Sequence, residues 1–184
     1  MIVRDEARII RRCLEAARPL IDCALVVDTG SSDSTIAEIR GYFRETGLEG
    51  EVALEPWRDF ASNRSSARAR MRAHADVDYA LMIDADDQVV VVADFDAGRF
   101  RAGLSADAYE VWTRLGGHSY TRPQLIGNHK PFAFKGALHE YLDCAEPRYG
   151  DSALNWSPSA RPTPAPTSTR GSPGTRWDAI NMAL

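Results

Sequence analysis

Three aspartates stand together immediately after an apolar segment. Asp84, Asp86 and Asp87 follow 79–83, whose residues are typical of a buried strand. Carboxylates packed this closely repel one another unless a cation neutralises them, and Mg²⁺ or Mn²⁺ prefers such oxygen ligands. The pattern therefore predicts a divalent-cation site beyond a strand end, with a polar turn capped by aspartate as the alternative.

Other charged residues also stand where elements are predicted to end or begin. Asp28 ends a second apolar strand, where an acidic residue accepts hydrogen bonds from a base or ribose, or else simply shapes the turn before Gly30. Glu6 follows the first strand and could equally complement the dipole of the next helix. Arg64 stands near a helix start, where its guanidinium could reach a diphosphate or be a solvated side chain.

His139 and Glu140 are adjacent in the second half of the chain. Neutral histidine is a good partner for a metal or a phosphate. A glutamate can take a proton from a hydroxyl when a partly buried site raises its pKa. The alternative is that both residues form the polar edge of a β-segment.

Strands and helices alternate in the first half, which predicts a parallel α/β sheet, while the second half looks antiparallel. Asp5 is expected to cap the first helix. The predicted helices are 9–17, a second one carrying Ile36, Ile39 and Phe43, and 60–73; the predicted strands include 24–27 and 79–83. Only three residues precede the first turn, so the first strand is expected to be shortened.

The chain is predicted to divide into one folded domain, residues 1–150, and a second segment of different character, residues 151–184. The second is a tail rich in Pro, Ser and Thr, which we expect to be disordered or poorly packed. Within it, residues 177–184 could form one or two helical turns if they dock on the domain.

Composition limits the functional classes. The chain has 184 residues, of which 44% are hydrophobic and 26% charged, with a net charge of −4. These values predict one soluble domain without a basic field for nucleic acid. Three cysteines without zinc-site spacing, and the lack of a signal segment or long apolar run, predict a reducing, cytoplasmic location. Any membrane contact is expected to be peripheral.

Five segments share the order and spacing of a known family. They are Met1-Ile-Val-Arg-Asp-Glu-Ala-Arg, Val26-Val-Asp-Thr-Gly-Ser-Ser-Asp33, Pro56-Trp-Arg-Asp-Phe-Ala-Ser-Asn-Arg64, Ile83-Asp-Ala-Asp-Asp87 and Leu138-His-Glu-Tyr-Leu142. Over residues 1–145 the chain resembles glycosyltransferase family two, in the bacterial branch with a His-Glu-Tyr-Leu element and a DXD motif. The resemblance implies a Rossmann-like three-layer sandwich of the glycosyltransferase A type with a mixed β second half.

The resemblance also implies a reaction. A metal-dependent, inverting enzyme would move a sugar from a nucleotide-sugar donor to a hydroxyl of a glycan, glycolipid or protein acceptor, with Glu140 as the catalytic base. The implied nucleotide-sugar-binding residues are Glu6, Asp28, Arg64 and Asp84. The implied metal ligands, for Mg²⁺ or Mn²⁺, are Asp86, Asp87 and His139.

Two features of the chain depart from this family pattern. The first strand is short, and residues beyond about 150 do not resemble the family's continuation. Two other readings therefore stay open: an inactive, truncated remnant or binding module, and a sugar nucleotidyltransferase on a related fold.

Overall fold

The computed structural model describes residues 1–91, 95–115, 118–136, 140–154 and 182–183. Within these ranges the chain forms four helices and ten strands. The helices are α1 (Ile10–Ala17), α2 (Thr35–Thr46), α3 (Phe60–Arg72) and α4 (Ala97–Ala102). The strands are β1 (Ile2–Val3), β2 (Cys23–Asp28), β3 (Glu49–Leu54), β4 (Tyr79–Leu81), β5 (Ala108–Leu115), β6 (His118–Gly127), β7 (Ala133–Lys135), β8 (Tyr141–Asp143), β9 (Tyr149–Leu154) and β10 (Met182–Ala183).

Eight of these strands form one mixed sheet. Strands β1 and β3 pair with β2 in parallel, and β10 pairs in parallel with both β2 and β4. The second half joins through β6, which is antiparallel to β4 and β5, and β9 is parallel to β5. Strands β7 and β8 form a separate antiparallel pair. The predicted mixed α/β class, with a parallel first half and antiparallel pairing in the second, is confirmed.

Strands β1 and β10 pair with the same edge of β2, at different points along it. Strand β3 pairs with the whole of β2, so β1 and β10 must both lie along the other edge of β2. There β1 pairs with Val27 and Asp28, whereas Ala183 pairs with Cys23 at the opposite end. The prediction of helical turns at the chain's end is wrong for residues 182 and 183, because their backbone completes the sheet between β2 and β4.

Helices cover both faces of β2. Its residues Ala24 and Val26 belong to a core cluster with α1 and α2, which includes Leu14 and Ile39. The alternate residues Leu25 and Val27 pack with Ala67 and Met71 of α3 and with other residues of the opposite face. This alternation follows from the two-residue period of a strand buried on both faces.

Most predicted helix positions are confirmed, and one cap is not. Helix α3 covers almost the whole of the predicted span 60–73. Helix α1, however, begins only at Ile10, and Asp5 does not cap it. Asp5 has a φ of 56° and accepts hydrogen bonds from the backbone nitrogens of Ser32 (2.6 Å) and Asp33 (3.3 Å). Its carboxylate therefore holds two loops together.

The chain between residues 155 and 181, which holds most of the predicted tail, lies outside the described residues. Strand β9 extends through Leu154, a few residues beyond the predicted domain boundary at 150. The division at that point stays a prediction. Among the described residues, the helices are all too short or too polar to cross a lipid bilayer.

Candidate functional site

The candidate site lies at the edge of the sheet where the parallel strands β1, β2 and β4 end. The loops that follow these strands carry Glu6, Asp28 and Asp84, respectively. Because carboxyl ends of parallel strands share one edge of a sheet, all three acidic residues lie at the same edge, as the sequence predicts. Helix α3 then brings a basic side chain to it.

Local hydrogen bonds fix the start of α3. The Asp59 carboxylate caps the helix by accepting from the Ser62 backbone nitrogen at 2.7 Å. Fully buried Asn63 accepts from the Arg58 backbone nitrogen at 2.8 Å and donates to the Pro56 carbonyl at 3.0 Å. These contacts set the direction of the next residue, Arg64.

Arg64 joins two distant carboxylates. Its Nη2 donates to Asp84 Oδ1 at 2.5 Å, and its Nη1 donates to Glu140 Oε1. The guanidinium carbon lies 5.4 Å from the centre of the Phe60 ring and 5.9 Å from that of Phe134. With only 17% of its side chain exposed, Arg64 is held at the middle of the site.

A second arginine neutralises the aspartates. Arg122, on β6, donates through Nη2 to Asp87 Oδ2 at 2.7 Å, and its Nη1 lies 3.8 Å from Asp84 Oδ2. Asp87 Oδ2 also accepts from the Asp84 backbone nitrogen at 3.0 Å. Two guanidinium groups thus place positive charge beside Asp84 and Asp87. The hydrogen bond from the Asp84 backbone nitrogen also makes Asp87 a capping residue of the turn, which is the alternative that the sequence left open.

Glu6 faces the remaining acidic residues. Burial raises the pKa of its carboxyl, and the negative charges of Asp86 and Asp33 raise it further. Asp86 itself is exposed. The Glu6 backbone nitrogen donates to Thr35 Oγ1 at 2.7 Å, and its carbonyl accepts from Ile9 and Ile10 at the start of α1. The raised pKa means that negative charge on Glu6 is disfavoured beside Asp86 and Asp33.

Asp28 is buried, with 2% of its surface exposed. Its Oδ1 accepts from the backbone nitrogens of Gly30 (3.0 Å) and Ser31 (2.9 Å). Its Oδ2 is buried and accepts no hydrogen bond within the part of the chain that the structure describes. A buried carboxylate oxygen without a partner is costly, so a hydrogen bond to Asp28 Oδ2 from a ligand donor would be favourable.

The predicted metal ligands are not brought together as a set. Across the described residues, there is no group of three or more His, Cys, Asp or Glu side chains that could hold an ion. Asp87 is engaged by Arg122, whereas Asp86 is available at the surface. His139 lies outside the described residues.

Two residues of this region escaped the sequence analysis. Arg122 comes from an antiparallel strand 35 residues after Asp87, and no local motif marks it. Glu55 follows β3, and its backbone nitrogen donates to the Asp28 carbonyl at 2.9 Å. Its position directly after a strand was the one signal that could have identified it.

Comparison with known proteins relates the chain to part of a longer protein. No protein-family model matches the chain. Over 168 residues the chain is 32% identical to a protein of Synechococcus elongatus named as a TPR repeat-containing protein. The match covers 89% of this chain and 40% of that relative, so the chain spans less than half of the relative's length.

These findings contradict the predicted membership of glycosyltransferase family two. The matching protein is named for TPR repeats, and nothing in the comparisons supports sugar transfer. The assignment as a metal-dependent glycosyltransferase with a DXD motif, and as an enzyme, is therefore corrected. The role of Glu140 as a base depends on that reaction and is not carried forward; its carboxylate instead forms an ion pair with Arg64.

The described residues are not an array of TPR helix pairs either. Such repeats are helix–turn–helix units of about 34 residues. Here strands separate every pair of consecutive helices from α1 to α4. The relative's name therefore describes that longer protein and not the architecture of this chain.

Proposed function

We propose that the chain is a ligand-binding module that binds a nucleotide at this edge of the sheet. The observation that carries the proposal is the buried Oδ2 of Asp28 at the end of a parallel strand, which has no hydrogen-bond partner among the described residues. In sheets of this kind an acidic residue at a strand end accepts hydrogen bonds from the nucleoside. Helices on both faces of β2 give the layering of doubly wound nucleotide-binding sheets, which supports the same proposal.

Arg64 is the proposed phosphate ligand. A guanidinium presents its N–H donors as a planar fork that matches phosphate oxygens. The rings of Phe60 and Phe134 hold that fork in place, so little side-chain entropy is lost on binding. A phosphate that reaches Arg64 must compete with the carboxylates of Asp84 and Glu140.

A divalent cation is proposed as a companion of the phosphates. Mg²⁺ is usually held by one or two carboxylates together with phosphate oxygens and water. Exposed Asp86, with Glu6 nearby, fits that requirement, whereas Asp87 is already paired with Arg122. Mg²⁺ or Mn²⁺ would shield the phosphate charge from these acidic side chains.

Protein partners are a second proposal, supported by the relative's name. TPR repeats are stacked helix pairs whose extended surfaces bind other proteins. Because the chain matches 40% of a protein named for such repeats, we propose that the module serves in a protein that also contacts other proteins. Its own contribution would be the nucleotide site.

Thermal unfolding of the purified chain tests the nucleotide proposal. ADP, CDP, GDP and UDP are added separately, with and without Mg²⁺, and at 100 times its Kd a ligand adds about 2.7 kcal/mol of stability. We expect at least one of them to raise Tm, and Arg64→Met to abolish the rise. Arg70→Met is the matched control, because Arg70 lies on the same helix but pairs with Glu51. Cooperative unfolding that none of the four shifts would overturn the proposal.

A further inference from the structure

Two exposed aromatic rings lie next to the guanidinium of Arg64. The Trp57 ring is centred 4.9 Å from the Phe60 ring in a T-shaped arrangement, and the centre of the Phe60 ring lies 5.4 Å from the guanidinium carbon of Arg64. Trp57 is 41% exposed and Phe60 is 49% exposed. Among the described residues, neither ring belongs to a hydrophobic core cluster. A contiguous, exposed aromatic surface therefore adjoins the proposed phosphate ligand.

The backbone on both sides of Trp57 is held in place. The fully buried side chain of Asn63 donates to the Pro56 carbonyl at 3.0 Å and accepts from the Arg58 backbone nitrogen at 2.8 Å. One buried amide thus fixes both the residue before Trp57 and the residue after it. Phe60 is fixed in turn, because it is the first residue of α3. A large ring presented to solvent on a fixed backbone loses little conformational entropy when a ligand binds to it.

Resting on the proposed role of Arg64 as a phosphate ligand, we infer that Trp57 and Phe60 bind the base of the same nucleotide by stacking. Every nucleobase has a flat π-face that stacks on aromatic side chains. The steps from Arg64 to Phe60 and from Phe60 to Trp57 are together comparable with the length of a nucleoside diphosphate between its terminal phosphate and its base. A single ligand therefore supplies both a charge for the guanidinium and a ring for the aromatic surface.

Isothermal titration calorimetry of the purified chain with Mg²⁺ tests this inference. Inorganic pyrophosphate supplies the phosphates without a base, whereas ADP, CDP, GDP and UDP supply both. We expect Trp57→Ala to weaken each nucleoside diphosphate that binds by at least about fivefold, the effect of removing a stacked ring. Pyrophosphate binding should stay unchanged, because Arg64 keeps its place. Trp112→Ala is the matched control, since Trp112 is an exposed tryptophan on β5 and its replacement should change neither affinity.

Tryptophan fluorescence gives a second measurement, which keeps the inference testable if Trp57→Ala does not fold. A base that stacks on the indole of Trp57 quenches its emission. We therefore expect the nucleoside diphosphate that binds best to quench the fluorescence of the unmodified chain but not that of Trp57→Phe. Because phenylalanine keeps an aromatic ring at this position, Trp57→Phe should retain most of the affinity.

The outcomes separate the two proposals. Unchanged nucleotide affinity in Trp57→Ala, or quenching that persists in Trp57→Phe, would overturn the stacking role and leave nucleotide binding intact. An equal loss of affinity for nucleotide and pyrophosphate would also overturn it, because Trp57 would then act through Arg64 instead of on the base. Failure of all four nucleoside diphosphates to bind the unmodified chain would overturn both proposals together.

Discussion

The guanidinium of Arg64 pairs with the carboxylate of Glu140, which lies 76 residues further along the chain. This contact ties the start of α3 to the residue before β8. A second contact reinforces the same docking, since Ser65 Oγ donates to the Phe134 carbonyl at 3.1 Å and accepts from the Phe134 backbone nitrogen at 2.8 Å. Glu140 is therefore placed to compete with any anion that approaches Arg64.

Glu140→Gln is expected to strengthen anion binding. The substitution keeps the shape of the side chain but removes the charge that competes for Arg64. We expect affinity for the nucleoside diphosphate that binds best to rise about three- to tenfold, corresponding to about 0.7–1.4 kcal/mol. Isothermal titration calorimetry would measure the change. Asp143→Asn is the matched control on the same hairpin, because Asp143 pairs with Lys135 at 2.6 Å. Weaker binding in Glu140→Gln would show that Glu140 supports the ligand instead of competing with it.

The sequence predicted which residues lie at the site better than it predicted their partners. Asp28 and Asp84 could be placed together because strands that run in parallel end at one edge, a rule that needs no knowledge of side-chain contacts. Arg64 could be expected near them from its place at a helix start. Those three positions depend on local signals alone.

The partners of these residues could not be predicted in the same way. Arg122 reaches Asp87 only because β6 runs antiparallel beside β4. That pairing joins distant parts of the chain, so no local sequence signal predicts it. Without that strand order, the sequence pattern alone predicts a metal ion to balance the acidic cluster. The place of β10 between β2 and β4 is equally non-local, because two residues carry too little pattern to identify a strand.

Asn63→Ala is expected to destabilise the fold. Asn63 is fully buried, and its side-chain amide satisfies the Arg58 nitrogen and the Pro56 carbonyl before α3. Alanine would leave both backbone groups without a partner, which costs about 1–3 kcal/mol. Urea unfolding would measure the loss. Arg70→Ala, an exposed position on the same helix, should change stability by less than about 0.5 kcal/mol. Equal effects of the two substitutions would contradict the role assigned to Asn63.

Asp107 makes stability depend on acid pH. Its carboxylate, 1% exposed, accepts from the Arg148 backbone nitrogen at 2.9 Å and lies 2.8 Å from His129 Nε2 and 3.5 Å from Lys130 Nζ. The hydrogen bond from Arg148, followed by that from His129, lowers the pKa of Asp107 well below its ordinary value near 3.8. As pH falls, the carboxyl of Asp107 therefore takes up a proton at a higher pH in the unfolded chain than in the folded protein.

The sign of the pH effect follows from that lowered pKa. The contribution of Asp107 is fully present above the unfolded pKa and is lost as pH falls below about 4. We expect Asp107→Asn to lower the urea midpoint at pH 7 and to flatten its fall between pH 5 and pH 3. Asp143→Asn, at an exposed ion pair, serves as the control. An unchanged pH profile in Asp107→Asn would contradict this account.

Leu14→Ala tests the core between α1 and the sheet. Leu14 is fully buried and belongs to the cluster that joins α1, α2 and one face of β2 and β4. Truncation removes apolar contacts and leaves a cavity, at a cost of about 2–5 kcal/mol. Leu54→Ala is the control, because Leu54 is 65% exposed at the end of β3, and we expect its effect to stay within about 0.5 kcal/mol. The free energy of unfolding in urea measures both. A small loss in Leu14→Ala would mean that α1 does not pack against the sheet as described, and the loop carrying Glu6 would then lose the helix that anchors it.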